Sequence, residues 1–293
     1  SRSFEGRTVD ITEVPFIVLV IPGSKATCTG FIISSKWVIS AAHCFDQTTE
    51  DCVVAIGTND RGSWSTKIDA EMVFVHPKYL LQYEEYDMAL IKLKDDIPLS
   101  ETSKIIKLEE QDWPNDTLRR LCYTAGYGRH ISINRTGILH GGQVTAGNGP
   151  YPYECEFLMY NIGKYLWTNR NESESICFGD SGCPLICDRV AVGVGVVSYP
   201  CAKTTFTGAA CGEKSIDGFV PLYKNLDWLQ SHVSCLPSSC SNSISLFTSN
   251  RNSDILLIIL TISSIVLSKD NRYYFCYINK MTIPCGYFLY QFF

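Results

Sequence analysis

Between residues 16 and 199, short apolar runs alternate with stretches rich in glycine, proline, asparagine and aspartate. Apolar runs of this length, separated by turn-forming residues, are typical of antiparallel strands that close into a sandwich or a barrel. The pattern predicts strands at 16–21, 52–56, 72–75, 89–93 and 190–197. We therefore expect a body built from β-sheet.

A different period appears at the end of this body. Four apolar residues at spacings of four, three and four fall on one face of a helix: Leu222, Leu226, Leu229 and Val233. Pro237 and the Ser/Asn-rich run after it mark a boundary. The sequence thus predicts a body at 1–235, a polar linker at 236–254 and an apolar, aromatic tail at 255–293.

The tail opens with an uncharged, mostly apolar run of 13 residues at 255–267. A helix needs roughly 20 such residues to cross a bilayer. Small residues near Ser241, a polar spacer and this run are similar to a GPI-attachment signal, although about 25 residues follow the run. Three interpretations stay open: a membrane anchor or the remnant of a GPI-type signal, a poorly ordered tail, and translation past the natural end of the reading frame.

Length and charge narrow the class of protein. A chain of 293 residues can bury a sizeable core, and an all-β unit commonly takes 200 to 250 residues. We expect one such unit with an appendage. The net charge of -5, without a long run of lysine or arginine, excludes the basic footprint of a nucleic-acid binder.

Fourteen cysteines indicate an oxidising compartment. Three glycosylation sequons, at Asn115, Asn134 and Asn171, indicate the secretory route as well. No apolar leader precedes Arg2, so we expect a processed form or a fragment. The predicted location is extracellular, with attachment to the cell surface through the tail as the alternative.

Two motifs suggest chemistry. An apolar strand ends on His43, which small residues precede, and much later Ser181 stands between Gly179-Asp180 and Gly182. A lone histidine is more often structural than catalytic, and the sequence Gly-Asp-Ser-Gly alone can simply form a turn. The pair of motifs is far more specific than either part.

With these motifs the sequence resembles the chymotrypsin-like serine proteases of the trypsin family over roughly residues 2–233. That family needs an aspartate at the head of an apolar strand between the two motifs, and Asp87 supplies it. The resemblance implies an all-β fold of two six-stranded antiparallel β-barrels with a C-terminal helix. It also implies a catalytic triad of His43, Asp87 and Ser181.

The resemblance assigns a role to each of these residues. His43 would remove the proton of the Ser181 hydroxyl. Asp87, supported by Ser198, would orient the imidazole. The backbone N–H groups of Gly179 and Ser181 would hold the oxyanion. The implied partners are a protein or peptide substrate and protein inhibitors. No cofactor is expected, and a metal site is not expected because no paired Cys-x-x-Cys pattern occurs.

Three disulfides match positions of the family: Cys28 with Cys44, Cys122 with Cys187, and Cys177 with Cys211. Cys183 replaces a common glycine and is interpreted as a small buried thiol. Seven cysteines have no family partner, and those in the body could form further bridges: Cys52, Cys155, Cys201, Cys235, Cys240, Cys276 and Cys285.

The residues expected to bind substrate depart from the family pattern. Ser175 stands at the floor of the primary pocket, where trypsin-like members carry an aspartate, and Gly218 stands on its wall. A neutral pocket favours aromatic or large apolar side chains, because an unpaired buried Arg or Lys is costly. Ser198 and Tyr199 begin the strand along which substrate pairs, but Pro200, where the family has a glycine, offers no N–H.

Activation is the other departure. Family members expose a new α-amine that pairs with the aspartate before the nucleophile, here Asp180. The corresponding position is Ser3, whose polar side chain replaces the usual isoleucine or valine. Either the ammonium of Ser3 reaches Asp180 without an apolar anchor, or Asp180 is satisfied in another way, or the oxyanion hole does not form.

Three hypotheses follow. The leading one is an active serine endopeptidase, supported by the intact triad. The second is a catalytically impaired homologue that serves as a binding or regulatory module. The third is an anchored surface protein whose tail matters more than its groove.

Overall fold

The structure is a computed structural model of the 293-residue chain. It describes residues 7–23, 27–63, 66–79, 84–115, 118–130, 135–148, 163–169, 176–200, 215–234, 236, 257–260, 263–267 and 273–275. The chain divides into two compact units, Ser1–Ser241 and Asn242–Phe293.

Six antiparallel strands in the first half close into a barrel. They are β2 (Ile17–Ile21), β3 (Cys28–Ile32), β4 (Trp37–Ser40), β5 (Val53–Ile56), β6 (Thr66–Val75) and β7 (Ala89–Leu93). They pair in the order β2-β3-β4-β7-β6-β5, and β5 pairs with β2 to complete the ring. A two-residue strand, β1 (Arg7–Thr8), precedes them and pairs with the second half.

The second half forms a second closed ring of six antiparallel strands. They are β9 (Arg119–Gly126), β12 (His140–Gly147), β13 (Leu166–Asn169), β14 (Pro184–Cys187), β15 (Val190–Pro200) and β16 (Ser215–Pro221). They pair in the order β12-β13-β16-β15-β14-β9, and β9 returns to β12. Shorter strands accompany them: β8 (Lys107–Leu108), β10 (Arg129–His130) and β11 (Arg135–Thr136). The predicted pair of six-stranded barrels is confirmed.

Strand alternation decides which core each side chain joins. In β2, Val18 and Val20 pack inside the first barrel. Ile17 and Leu19 point the other way and pack with Tyr127, which follows β9 of the second barrel. Because successive side chains of a strand face opposite sides, one apolar strand supplies both the barrel interior and the contact between barrels.

The predicted helix is present. A 3-10 turn at Tyr223–Asn225 leads into α1 (Leu226–His232). Its buried residue Leu229 joins Leu222 and Val233 in one core cluster, with Leu226 packed against it. The spacing of these four residues therefore does correspond to one buried face.

Strand β6 begins earlier than predicted. It starts at Thr66 rather than at residue 72. Its first half carries charged side chains at Lys67 and Asp69 on either side of the buried Ile68. A strand with one solvated face lacks the continuous apolar run on which the prediction depended.

The second unit contains three short antiparallel strands, β17 (Leu257–Leu260), β18 (Ser263–Leu267) and β19 (Tyr273–Phe275). The apolar run of the tail thus contributes β17 and β18. A helix long and apolar enough to cross a membrane does not occur in the ranges that the structure describes.

Candidate active site

His43 and Asp87 are brought together by two neighbouring strands of the first barrel. His43 lies in a 3-10 turn, Ala42–Phe45, that is separated by one residue from the end of β4. Asp87 lies two residues before β7, which pairs with β4. The carboxylate of Asp87 accepts the backbone N–H of His43 at 2.9 Å, and its other oxygen lies 2.6 Å from His43 Nδ1.

The hydrogen bond to the buried Asp87 decides the tautomer of His43. Asp87 is 1% exposed, whereas the side chain of His43 retains 31% of its exposure. An ionised carboxylate only accepts hydrogen bonds, so Nδ1 carries the ring proton that faces it. The neutral imidazole then has Nε2 as its acceptor, which is the nitrogen that a general base needs.

Ser181 lies on a tight turn from the second barrel that packs against the first. Its carbonyl accepts the N–H of Thr29 in β3 at 2.8 Å and lies 4.0 Å from the sulfur of Cys44. The next residue, Gly182, has a φ of +89°, and a Cβ there would lie 2.1 Å from the Thr29 carbonyl and 2.8 Å from the nitrogen of Ala41. Only glycine allows this approach, which places the serine turn against the strand end that leads to His43.

The turn before Ser181 orients a backbone donor. The Phe178 carbonyl accepts the N–H of Arg129 at 2.9 Å. Because the C=O and N–H of a trans peptide point in opposite directions, the N–H of Gly179 is turned away from Arg129. Gly179 has a φ of +101°, and its own carbonyl accepts the hydroxyl of Thr29 at 2.9 Å.

Asp180 points away from solvent into a cage of donors. It is 3% exposed and accepts the N–H groups of Gly128 at 2.8 Å and Cys177 at 3.0 Å. Nε2 of His140 lies 3.5 Å from its Oδ2. Burial raises the pKa of Asp180, but His140 and the two backbone donors lower it more, and the pKa falls below its ordinary value. Ser3, the partner expected from the sequence, lies outside the described residues.

Two residues of this site were missed by the sequence analysis. Thr29 is fully buried and bonds the serine turn through its N–H and its hydroxyl, which also accepts the N–H of Tyr127 at 3.0 Å. Its position after Cys28 was the available signal. His140 is one of five histidines in the chain and lies in a Gly-rich segment. Neither signal is specific without the fold.

The structure describes part of the substrate-binding region. Ser175 lies outside the described residues, but Ile176 donates its N–H to Asp217 Oδ2 at 3.1 Å. Asp217 is 1% exposed, so a buried carboxylate contacts the residue that follows Ser175, the predicted pocket floor. A Cβ on Gly218 would lie 2.7 Å from Val197. The neutral-pocket prediction did not take Asp217 into account.

The strand expected to pair with substrate is the last part of β15. Ser198 and Tyr199 pair with Asp217 and Ile216 of β16, and Pro200 pairs with Ser215 at the end. Within the described part of the chain, the buried hydroxyl of Ser198 has no hydrogen-bond partner. The bond to Asp87 that the family resemblance implies for this serine is therefore not formed here.

Two of the three expected disulfides are present, Cys28–Cys44 and Cys122–Cys187. Cys177 is disulfide-bonded as well, and Cys211 lies outside the described residues. Cys183 is 1% exposed and accepts the hydroxyl of Thr124 at 3.3 Å, in agreement with a buried thiol.

Cys52 is a buried thiol and not part of a bridge. Burial raises its pKa to about 12, which makes it unreactive at neutral pH. The other cysteines without a family partner, Cys155, Cys201, Cys235, Cys240, Cys276 and Cys285, lie outside the described residues, as do the sequons at Asn134 and Asn171. Asn115 is exposed, and its side-chain oxygen accepts the N–H of Leu118 at 2.7 Å.

The chain is similar in sequence and in structure to known proteins. The family model described as Trypsin matches residues 3–228. Trypsin 5G1 of Aedes aegypti is 29% identical over 226 residues, which cover 75% of this chain and 84% of that protein. Neuropsin, a serine protease of mouse brain, is similar in structure with a TM-score of 0.64 at 21% identity, covering 78% of this chain and 98% of the other. A scabies mite inactivated protease paralogue gives a TM-score of 0.63 at 23% identity, with 78% and 96% covered.

Proposed function

The chain belongs to the trypsin family of serine proteases, and on this basis we propose that it is a serine endopeptidase that cleaves peptide bonds through an acyl-enzyme. The observation that carries the proposal is the buried carboxylate of Asp87. It accepts the N–H of His43 and faces its Nδ1 at 2.6 Å. The turn that carries Ser181 packs against Thr29 and Ala41, at the end of the strand that leads to His43.

The first half of the reaction forms the acyl-enzyme. The Ser181 oxygen attacks the carbonyl carbon of the scissile bond while Nε2 of His43 takes the hydroxyl proton. Asp87 stabilises the imidazolium that results. When the tetrahedral intermediate collapses, the C–N bond breaks, and His43 gives the proton to the leaving amine.

The second half releases the product. Water attacks the acyl carbon while His43 takes one of its protons, and the bond to the Ser181 oxygen breaks as that oxygen recovers the proton. We assign the N–H groups of Gly179 and Ser181 to the oxyanion that forms in both halves. Removing one such donor typically slows turnover by about 10²–10³.

We propose an apolar or aromatic preference for the residue before the scissile bond, because Ser175 brings no charge to the pocket floor. Hydrolysis of a peptide library tests this preference. Cleavage after tyrosine, phenylalanine or leucine agrees with it. A preference for arginine or lysine would contradict it and would point to the buried carboxylate of Asp217, near Ile176, as their partner.

Substitutions in the triad test the activity itself. We expect Ser181→Ala and His43→Ala to abolish peptide hydrolysis and Asp87→Asn to lower turnover by about 10⁴, because the amide no longer holds the correct tautomer. Asp95→Asn is the matched control, since Asp95 is exposed on the same barrel. Equal hydrolysis by the wild type and Ser181→Ala would overturn the proposal.

A second candidate is a catalytically impaired homologue that binds peptides or proteins. Pro200, which lacks an N–H, ends the strand on which substrate would pair. A protein of similar structure is an inactivated protease paralogue. Binding of a ligand with equal affinity by the wild type and Ser181→Ala, without hydrolysis by either, would favour this candidate.

We propose that the protein acts outside the cell, where its partners are protein substrates and protein inhibitors. The disulfides Cys28–Cys44 and Cys122–Cys187 fit an oxidising compartment. The exposed Asn115 fits an N-linked glycan. Attachment to the cell surface through the tail is the alternative, and partition of the full chain into the detergent phase would support it.

A further inference from the structure

Asp180 needs a counter-charge. It lies directly before Ser181, it is 3% exposed, and a buried ion without a partner is costly. Two backbone donors bond its oxygens, from Gly128 at 2.8 Å and from Cys177 at 3.0 Å, but they bring no net charge. The charge must come from a side chain or from an amino terminus.

His140 is placed to supply it. Its Nε2 lies 3.5 Å from Asp180 Oδ2, and its Nδ1 lies 3.0 Å from the carbonyl oxygen of Ile138. Both ring nitrogens therefore face acceptors. A neutral imidazole has one N–H, so one nitrogen would present a lone pair to an oxygen, whereas the imidazolium donates from both. The surroundings of His140 favour the cation.

The neighbouring glycines make room for this pair. His140 stands directly opposite Gly126 where β12 pairs with β9. A Cβ on Gly126 would lie 2.3 Å from one oxygen of Asp180, and a Cβ on Gly128 would lie 2.2 Å from the other. The carboxylate thus occupies the space that two absent side chains leave, with the imidazole of the adjacent strand against it.

We propose that His140 is a built-in cation that holds Asp180, and with it the turn Gly179–Ser181, in the arrangement required for catalysis. This inference rests on the proposed function and concerns how the site becomes competent. The ion pair joins β12 to the serine turn within one barrel, so it needs no newly cleaved amino terminus. The pair thereby offers a second route to a competent site. This route matters because Ser3 lacks the apolar side chain that anchors the amino terminus in the family.

His140 is in this account a positioning residue, and matched variants of the full chain test it. His140→Gln removes the charge at similar size, and His140→Lys retains a cation. The wild type and each variant are prepared with the amino terminus free at Ser3 and with a short extension before Ser3 that blocks it. The measured quantity is the rate of Ser181 labelling by a fluorophosphonate, a reagent that reacts with activated serines.

We expect the extension to leave the labelling rate unchanged. His140→Gln should lower the rate by about 10²–10³, which is the cost of losing an oxyanion donor. His140→Lys should retain most of the wild-type rate. Thermal midpoints of all forms separate loss of folding from loss of positioning. Labelling that fails on extension and survives His140→Gln would overturn the inference, because the amino terminus would then be the partner of Asp180.

A second measurement decides the inference even if the wild type never reacts. Nitrogen-15 NMR of the full chain carrying Ser181→Ala reports the protonation of each histidine ring, and His140→Gln identifies the His140 signals. We expect two protonated ring nitrogens at pH 7.5. One protonated and one bare nitrogen would overturn the inference. If Ser181 is not labelled although His140 is an imidazolium, the proposed function is wrong, whereas the ion pair between His140 and Asp180 stands.

Discussion

At the scale of single residues, the candidate site depends on close contacts that leave no space for a side chain. Gly182 is the clearest case, because its backbone lies against the Thr29 carbonyl and the Ala41 nitrogen. Its φ of +89° is one that L-residues rarely adopt. The contact between the Ser181 turn and the strand that leads to His43 therefore requires glycine.

Gly182→Ala tests this contact. We expect it to lower the free energy of unfolding by about 3 kcal/mol or more, since strain at positive φ adds to an overlap that only a backbone shift relieves. Gly163→Ala is the matched control, because Gly163 has a φ of +83° but nothing within 4 Å of its Cβ position. It should cost about 1–2 kcal/mol. Chemical denaturation measures both, and equal losses would contradict the account.

The sequence predicted residues of this site unevenly. Ser181 and His43 could be named as candidates because each stands in a dense local motif, and Asp87 because it precedes an apolar strand. Thr29 and His140 were missed because their roles arise from contacts with the distant turn before Ser181. No local pattern marks such contacts, because Thr29 meets the turn across the two barrels and His140 meets it across neighbouring strands of the second.

At the scale of elements, an aromatic cluster holds the segment that carries Asp87 against helix α1. His76, just after β6, stacks on Tyr86 at 4.9 Å between ring centres and meets Trp228 of α1 edge-on at 4.7 Å. Its backbone N–H donates to the Met88 carbonyl at 3.0 Å. The cluster therefore joins the first barrel, the residues around Asp87 and the helix.

This cluster predicts how stability depends on pH. Burial, with smaller contributions from the charges of Lys78 and His232, lowers the pKa of His76 to about 4. Its Nδ1 accepts the N–H of Lys78 at 3.2 Å, which protonation of that nitrogen would prevent. Because the unfolded chain binds this proton near pH 6.5, stability should be fully present above pH 6.5 and should decrease as the pH falls toward 4.

His76→Gln tests the assignment, since glutamine retains an acceptor but does not titrate. As the pH is lowered from 8 to 4, the thermal midpoint should fall less for the variant than for the wild type. The comparison concerns this fall, so a difference between the two midpoints at pH 8 does not affect it. Parallel curves would show that another group dominates the acid response.

Elements were predicted where the periodicity was strong. The helical face of Leu222, Leu226, Leu229 and Val233 was correct, and so was β7 at 89–93. The start of β6 was missed because its exposed face carries charges. The pattern also could not show the closure of the second barrel, which depends on the pairing of β9 with β12.

At the scale of the whole molecule, the triad candidates come from both barrels. His43 and Asp87 lie at the ends of β4 and β7 in the first, and Ser181 precedes β14 in the second. An apolar cluster that contains Ile17 and Tyr127 joins the two halves. The relative placement of base and nucleophile therefore depends on packing between barrels, so that folding and the proposed catalysis require the same interface.

Covalent labelling of Ser181 decides whether the site is catalytically active. The full chain, with its disulfides formed, is treated with a fluorophosphonate, and intact mass and peptide mapping count and locate the adduct, with Ser181→Ala as the blank. We expect one label per chain, on Ser181, and none on the blank. Folded protein that takes up no label, or takes it up equally with Ser181→Ala, would contradict the claim that this site is a working serine protease.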